Sequence, residues 1–102
     1  VKSVTTYILL SKISAESVKK VKNLAAADQA FDRKLREQCP EAKRVASYAL
    51  LGAYDFLHVF ECPDAITATK VALLANEFGQ GSTQTLTAIP FGEFTKLLEE
   101  IA

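Results

Sequence analysis

His58 is the only histidine in the chain. It sits in the run Phe56-Leu-His-Val-Phe-Glu61, just after a glycine-containing turn. Imidazole titrates near neutrality, so this residue can serve as a general base or as an axial ligand to haem iron. The sequence also offers hydroxyls: Ser47 in the preceding run, Tyr54 in the turn, Tyr7 near the start and Thr85 near the end. A histidine base beside a tyrosine that hydrogen-bonds a developing oxyanion suits proton transfer or oxygenation on an aromatic or enolisable substrate, without a metal. The competing role for His58 is structural, a packed ring hydrogen-bonded to Ser47 or Thr85. Tyr54 either donates its phenol to a ligand or packs as a hairpin residue. Asp55 is either a catalytic carboxylate or an acceptor for backbone N–H groups beside the turn.

Other chemistry is not encoded. Cys39 and Cys62 are too far apart for a Cys-x-x-Cys pair, and one histidine is too few for a zinc site. They read as two reduced thiols in a cytoplasmic protein, and no metal or cofactor is expected. No Gly-rich phosphate loop and no Ser-His-Asp series is present.

These residues need a scaffold, and periodicity predicts it. Val4–Ser11 is β-branched and aromatic and reads as a central strand. From Ala15 to Gln38 apolar residues recur at helical spacing (Val18, Val21, Leu24, Ala27, Phe31, Leu35), and the length allows a kink between Leu24 and Ala27. Most of the charges, Lys19 and Lys20 among them, lie off that stripe and read as a solvated face. Lys43–Leu51 and Phe56–Glu61 are two further strands. Asp64 is placed to N-cap a second helix with a stripe of Ala68, Val71, Ala72, Ala75 and Phe78, closed by Gly79. Gly81–Ile89 is a fourth strand, and Phe91–Ile101 a short amphipathic helix after Pro90. The order is the βαββαβ pattern of a ferredoxin-like α+β fold: an antiparallel sheet with helices on one face and an extra C-terminal helix.

Leu51-Gly52-Ala53-Tyr54 fits a two-residue type II′ hairpin loop, with glycine where φ > 0 is needed. The register then sets Ser47 opposite His58, Ala49 opposite Phe56 and Val45 opposite Phe60. Compact aliphatics Leu57 and Val59, with Ile8, Leu10, Leu86 and Ala88, are assigned to the helix-covered face. Tyr7, Leu9, Ser47, Tyr54, Phe56, His58, Phe60, Thr83, Thr85 and Thr87 are then left on the opposite face. That set is too apolar for water and too polar for a dry core. A second copy packing sheet to sheet would cover it and leave a cavity, in which Tyr7, Ser47, Tyr54, Phe56 and Thr85 bind a small organic ligand beside His58.

Composition narrows the partners. Hydrophobic residues make up 49% of the 102 residues, enough for one modest folded domain spanning 1–102. Twelve basic and twelve acidic residues cancel, so no footprint for nucleic acid or an anionic membrane is expected. Apolar runs are too short to span a bilayer, and no basic-then-apolar signal pattern is visible at the start.

The run Tyr48-Ala-Leu-Leu-Gly-Ala-Tyr-Asp-Phe56, followed by Glu61-Cys-Pro-Asp64, resembles the GYD-domain proteins. Thr6-Tyr-Ile-Leu-Leu10 and Thr85-Leu-Thr-Ala-Ile-Pro90 fit the same pattern in order, so the resemblance covers nearly the whole chain. Gly52, Tyr54 and Asp55 match the motif residues. The resemblance implies the dimeric α+β barrel superfamily, and with it a homodimer or a larger assembly of dimers. It brings no specific activity, because that superfamily holds small monooxygenases, haem-degrading enzymes, lactone isomerases and ligand-sensing domains. Two expectations follow: a homodimer binding a small organic molecule, with or without cofactor-independent chemistry, or a non-catalytic interaction or sensing module with a filled interface.

Overall fold

The computed structural model describes residues 4–18, 21–78 and 80–101. Among these, strands β1 (Thr5–Ile13), β2 (Lys43–Ala49), β3 (Phe56–Cys62) and β4 (Gln80–Ala88) form one antiparallel sheet in the order β2-β3-β1-β4. This is the ferredoxin-like arrangement expected from the element order. The first helical run is divided: α1 (Ala15–Val18) and a 3₁₀ turn (Val21–Asn23) precede α2 (Leu24–Gln38). The break therefore falls before the predicted kink. Lys19, Lys20 and Gly79 lie outside the described residues, as do the side chains of Val18 and Val21. Helix α3 (Ala65–Glu77) starts at Asp64, whose carboxylate accepts from the Thr67 N–H at 2.8 Å, the predicted cap. Helix α4 (Phe91–Ile101) closes the chain.

The helices cover the other sheet face from the one assigned to them. The buried core joins Tyr7, Leu9, Phe60 and Cys62 of the sheet to Phe31 and Leu35 of α2 and to Ala68, Val71 and Ala75 of α3. Side-chain volume explains this. The α3 stripe is built mostly of alanine, so the sheet must supply bulk to fill the gap to native density. Tyr7 and Phe60 do that, and Phe31 meets Phe60 edge to face at 6.4 Å. Ile8, Leu10, Leu57 and Val59, placed under the helices by the sequence reading, form the open face and are half-buried. Leu86 beside them is 39% exposed.

The hairpin keeps most of its expected register and departs in two places. Ser47 is opposite His58 and Ala49 opposite Phe56, but Arg44, not Val45, is opposite Phe60. The register shifts between Arg44 and Ala46, a bulge in which Val45 is the extra residue. The connection is also wider than a two-residue loop. The strands end at Ala49 and Phe56, the Leu50 N–H donates to the Asp55 carbonyl at 2.8 Å, and Gly52 has φ +151°. Asp55 ties this loop to β1. Its N–H donates to the Ser11 carbonyl at 2.9 Å, and its carboxylate accepts from the Ile13 N–H at 2.8 Å. Of the two roles open to Asp55, the backbone acceptor is the one observed.

Helix α4 stands apart. None of its residues is buried, and Phe91, Phe94, Leu97, Leu98 and Ile101 are all exposed. The radius of gyration is 15.2 Å, above the ~13 Å of a compact chain of about 100 residues. Among the described residues, no helix is long and apolar enough to cross a membrane.

Candidate functional site

The bulge in β2 builds the site. Side chains alternate along a strand, so an extra residue reverses the faces beyond it. Without the bulge Val45 would share a face with Ser47. With it, Arg44 takes that place and reaches the helix side. Its guanidinium meets Asp28 at 2.9 Å and Asp32 at 2.7 Å, two carboxylates one turn apart on α2. It lies over the Phe31 ring at 5.7 Å and donates through Nε to the Ser47 hydroxyl at 2.8 Å. Burial opposes the Arg44 charge, but hydrogen bonds to Asp28 and Asp32 outweigh it and raise the pKa further.

His58 stands next in the chain of contacts. Its Nδ1 is 2.8 Å from the Ser47 hydroxyl and 3.3 Å from the Arg44 guanidinium. Guanidinium can only donate, so Nδ1 accepts and the neutral ring carries its proton on Nε2. The ring is 4% exposed. Burial first, and the adjacent Arg44 charge second, lower its pKa to about 4, with Asp28, Asp32 and Gln80 opposing. The imidazole is therefore neutral at pH 7.

A half-open cavity of about 320 Å³ lies against these groups. Arg44, Ser47, His58, Asp28 and Gln80 form its polar side, and Leu24, Ala25, Ala49, Phe56 and Phe78 its apolar walls, with Tyr48 at the edge strand. His58 Nε2 and Gln80 Oε1 are both buried here, and the side-chain hydrogen bond between His58 and Gln80 is one of the contacts that oppose the fall in the His58 pKa. Ser11 Oγ, on the same side of the sheet, is buried with no hydrogen-bond partner.

Three of the expected site residues, Ser47, Phe56 and His58, line this cavity together. The others part from them. Tyr7 and Thr85 border a void of about 10 Å³ beside Leu9, Phe60, Cys62 and Val71, no larger than a water. Tyr54 donates its hydroxyl to Gln84 and has the Lys12 ammonium 5.8 Å from its ring. Gln84 pairs with Leu10 on the open face, so Tyr54 and His58 do not converge. The cavity also lies between the sheet and its own helices, not in the space between two sheets. Arg44, Asp28, Asp32 and Gln80 were missed. The spacing of Asp28 and Asp32, four apart on one helix face, is the signal that an interior-facing cation was near. Both cysteines are free and buried, and burial raises the Cys62 thiol to about 11.

Known proteins bear on this arrangement. The chain is 32% identical over 98 residues to a Thermus thermophilus protein described as a glutamine synthetase and cystathionine beta-lyase binding protein, covering 92% of this chain and 98% of that one. In structure it resembles AsnC of E. coli (TM-score 0.57, 15% identity, 87% of this chain and 52% of that one). It also resembles the hydroxynitrile lyase of Passiflora edulis (TM-score 0.53, 14% identity, 88% and 95%). The chain spans about half the length of the AsnC-type regulators it matches. At such identities the likeness is one of fold. The profile of the GYD domain matches residues 7–98, nearly the full length and through every strand of the sheet, and the chain belongs to the GYD domain family.

Proposed function

We propose that this protein is a binding module and not a catalyst. The 102-residue chain acts as one domain that pairs with a second copy through its open sheet face. It holds a small, partly apolar organic molecule in the cavity beside His58, and it engages a partner protein. The observation that carries this reading is the state of the polar groups in the cavity. The Arg44 charge is taken up by Asp28 and Asp32, and His58 Nδ1 is committed to Ser47. A base is most effective when its pKa lies near the working pH, and an imidazole at about 4 is a weak one. These groups are organised to hold a shape and to recognise a ligand. The Ser47–His58 contact has the distance of a nucleophile and its base, but the neighbouring guanidinium disfavours the imidazolium that such a step would form.

The protein-binding part draws on the Thermus relative, whose description names two enzymes as its partners. By this reading the present chain likewise docks on an enzyme, and its exposed apolar residues supply the contact. A cytoplasmic setting belongs to the same reading and is supported by the two free, buried cysteines.

Native mass spectrometry of protein taken from its source tests this. The expected result is a dimer carrying a reproducible small-molecule adduct, lost in His58→Leu while the dimer persists. A bare dimer that takes up nothing from a low-molecular-mass extract overturns the ligand reading. A monomer overturns the pairing.

A further inference from the structure

Among the described residues, helix α4 makes no more than marginal contact with any other element, and none of its residues is buried. Its apolar residues nevertheless form one stripe. Phe91, Phe94, Leu98 and Ile101 recur at three- and four-residue spacing, with Leu97 beside them. The Phe91 and Phe94 rings are 5.7 Å apart. Glu93, Lys96, Glu99 and Glu100 take the opposite side. Isolated helices shorter than about 12–15 residues are marginal in water. Helix α4 has 11 residues, with Gly92 in its first turn. Its helical form therefore needs a cover over the stripe.

The chain itself does not supply that cover. One sheet face is taken by α2 and α3. Only Ile89 and Pro90 connect β4 to α4, and the Pro90 carbonyl accepts from the Glu93 and Phe94 N–H groups at 3.0 and 3.1 Å. This hydrogen-bonded turn directs α4 away from its own sheet.

Area points to a second copy. The open face has four strands; as a flat patch about seven residues long it measures only ~450 Å², whereas a specific interface takes ~800 Å² from each partner. The two α4 phenylalanines, 75% and 42% exposed, add roughly 200 Å². Leu97, Leu98 and Ile101 add more. In a two-fold dimer each arm lies on the other copy, so both copies gain the same area. A surface to receive the arm is present. Sheet-to-sheet packing covers Ile8, Leu10, Leu57 and Val59 at the centre of the face. At its rims Tyr48, opposite Leu57 on β2, and Leu86, opposite Ile8 on β4, are exposed. A stripe without charge also suits a permanent partner, because obligate interfaces are the more hydrophobic class. An enzyme that binds and leaves would uncover α4 each time.

We infer that α4 is an arm exchanged between two copies of this chain, its stripe of Phe91, Phe94, Leu97, Leu98 and Ile101 laid on the rim of the other copy's open sheet face. This rests on the sheet-to-sheet pairing proposed above and adds the element that completes it. Contact with a partner enzyme then falls to other exposed apolar residues, Ile66 and Leu73 on α3 among them.

The test mixes ¹³C-labelled and unlabelled copies of the full chain and records isotope-filtered NOEs between them, after sedimentation has given the oligomeric state. The expected result is a dimer with NOEs from the α4 leucine and isoleucine methyls of one copy to Tyr48 or Leu86 of the other. Phe94→Ser with Leu98→Ser is expected to weaken the dimer at least tenfold and to leave the core folded, since neither residue belongs to it. The wild-type NOEs decide the matter even if that variant fails to fold. A dimer whose intermolecular NOEs come only from Ile8, Leu10, Leu57 and Val59 overturns the arm and leaves the pairing standing. So does an unchanged dissociation constant in the variant. NOEs from α4 to the sheet of its own copy overturn the exchange. A monomer overturns the pairing, and the arm with it.

Discussion

His58 is held neutral by burial and by a cation, and that has a measurable cost. In the unfolded chain it titrates near 6.5, and in the folded chain at about 4. Between those values the unfolded state binds a proton that the folded state refuses. Its contribution is therefore fully present above pH 6.5, declines as pH falls toward 4, and levels off below. The linked loss is on the order of 3 kcal/mol, at ~1.4 kcal/mol per pKa unit. Urea unfolding at pH 7, 5.5 and 4 measures it, and His58→Gln removes this component while leaving the carboxylate components in place. Equal slopes for the two proteins would show that the ring is not desolvated as described.

At the scale of elements, the two features that shape the site are both in the β2–β3 hairpin. Asp55 fastens the loop to β1 through the Ile13 N–H. Asp55→Ala leaves that part-buried donor without its partner and is expected to cost about 1–3 kcal/mol. Asp55→Asn keeps an acceptor oxygen and should cost less than half as much. Thermal unfolding of the two variants makes the comparison, and an equal loss in both would assign Asp55 a role through its charge instead. The bulge at Val45 is the other feature. The pairing of Ser47 with His58 was legible because alternation and the loop position set it. The position of Arg44 was not, because a bulge leaves no periodic trace in the sequence and reverses the parity of every residue beyond it.

For the whole molecule, the open sheet face carries the half-buried aliphatics Ile8, Leu10, Leu57 and Val59 with exposed Leu86, and α4 has no buried residue, the kind of surface that marks an interaction site. The second copy proposed for that face would account for Ile8, Leu10, Leu57, Val59 and Leu86 together. Leu10→Lys with Val59→Lys would place two charges in that interface. Sedimentation is expected to show a dimer for the wild type and a monomer for the double variant, with native circular dichroism in both. A double variant that stays dimeric would move the interface to α4 or to a sheet edge.

The element order, the four strands, the capped α3, the amphipathic α4 and the family are all readable from the residues alone, because each is written in local periodicity, capping residues and turn residues. Ser47, Phe56 and His58 are likewise readable as sharing one side of the hairpin. Which side that is emerges from the packing alone. Both sheet faces are apolar enough to be buried, so alternation cannot choose between them. The choice falls to volume, and the alanines of α3 require Tyr7 and Phe60 beneath them. With that face turned inward, His58 left the expected space between two subunits and entered a cavity of its own chain, beside an arginine that only the bulge could deliver.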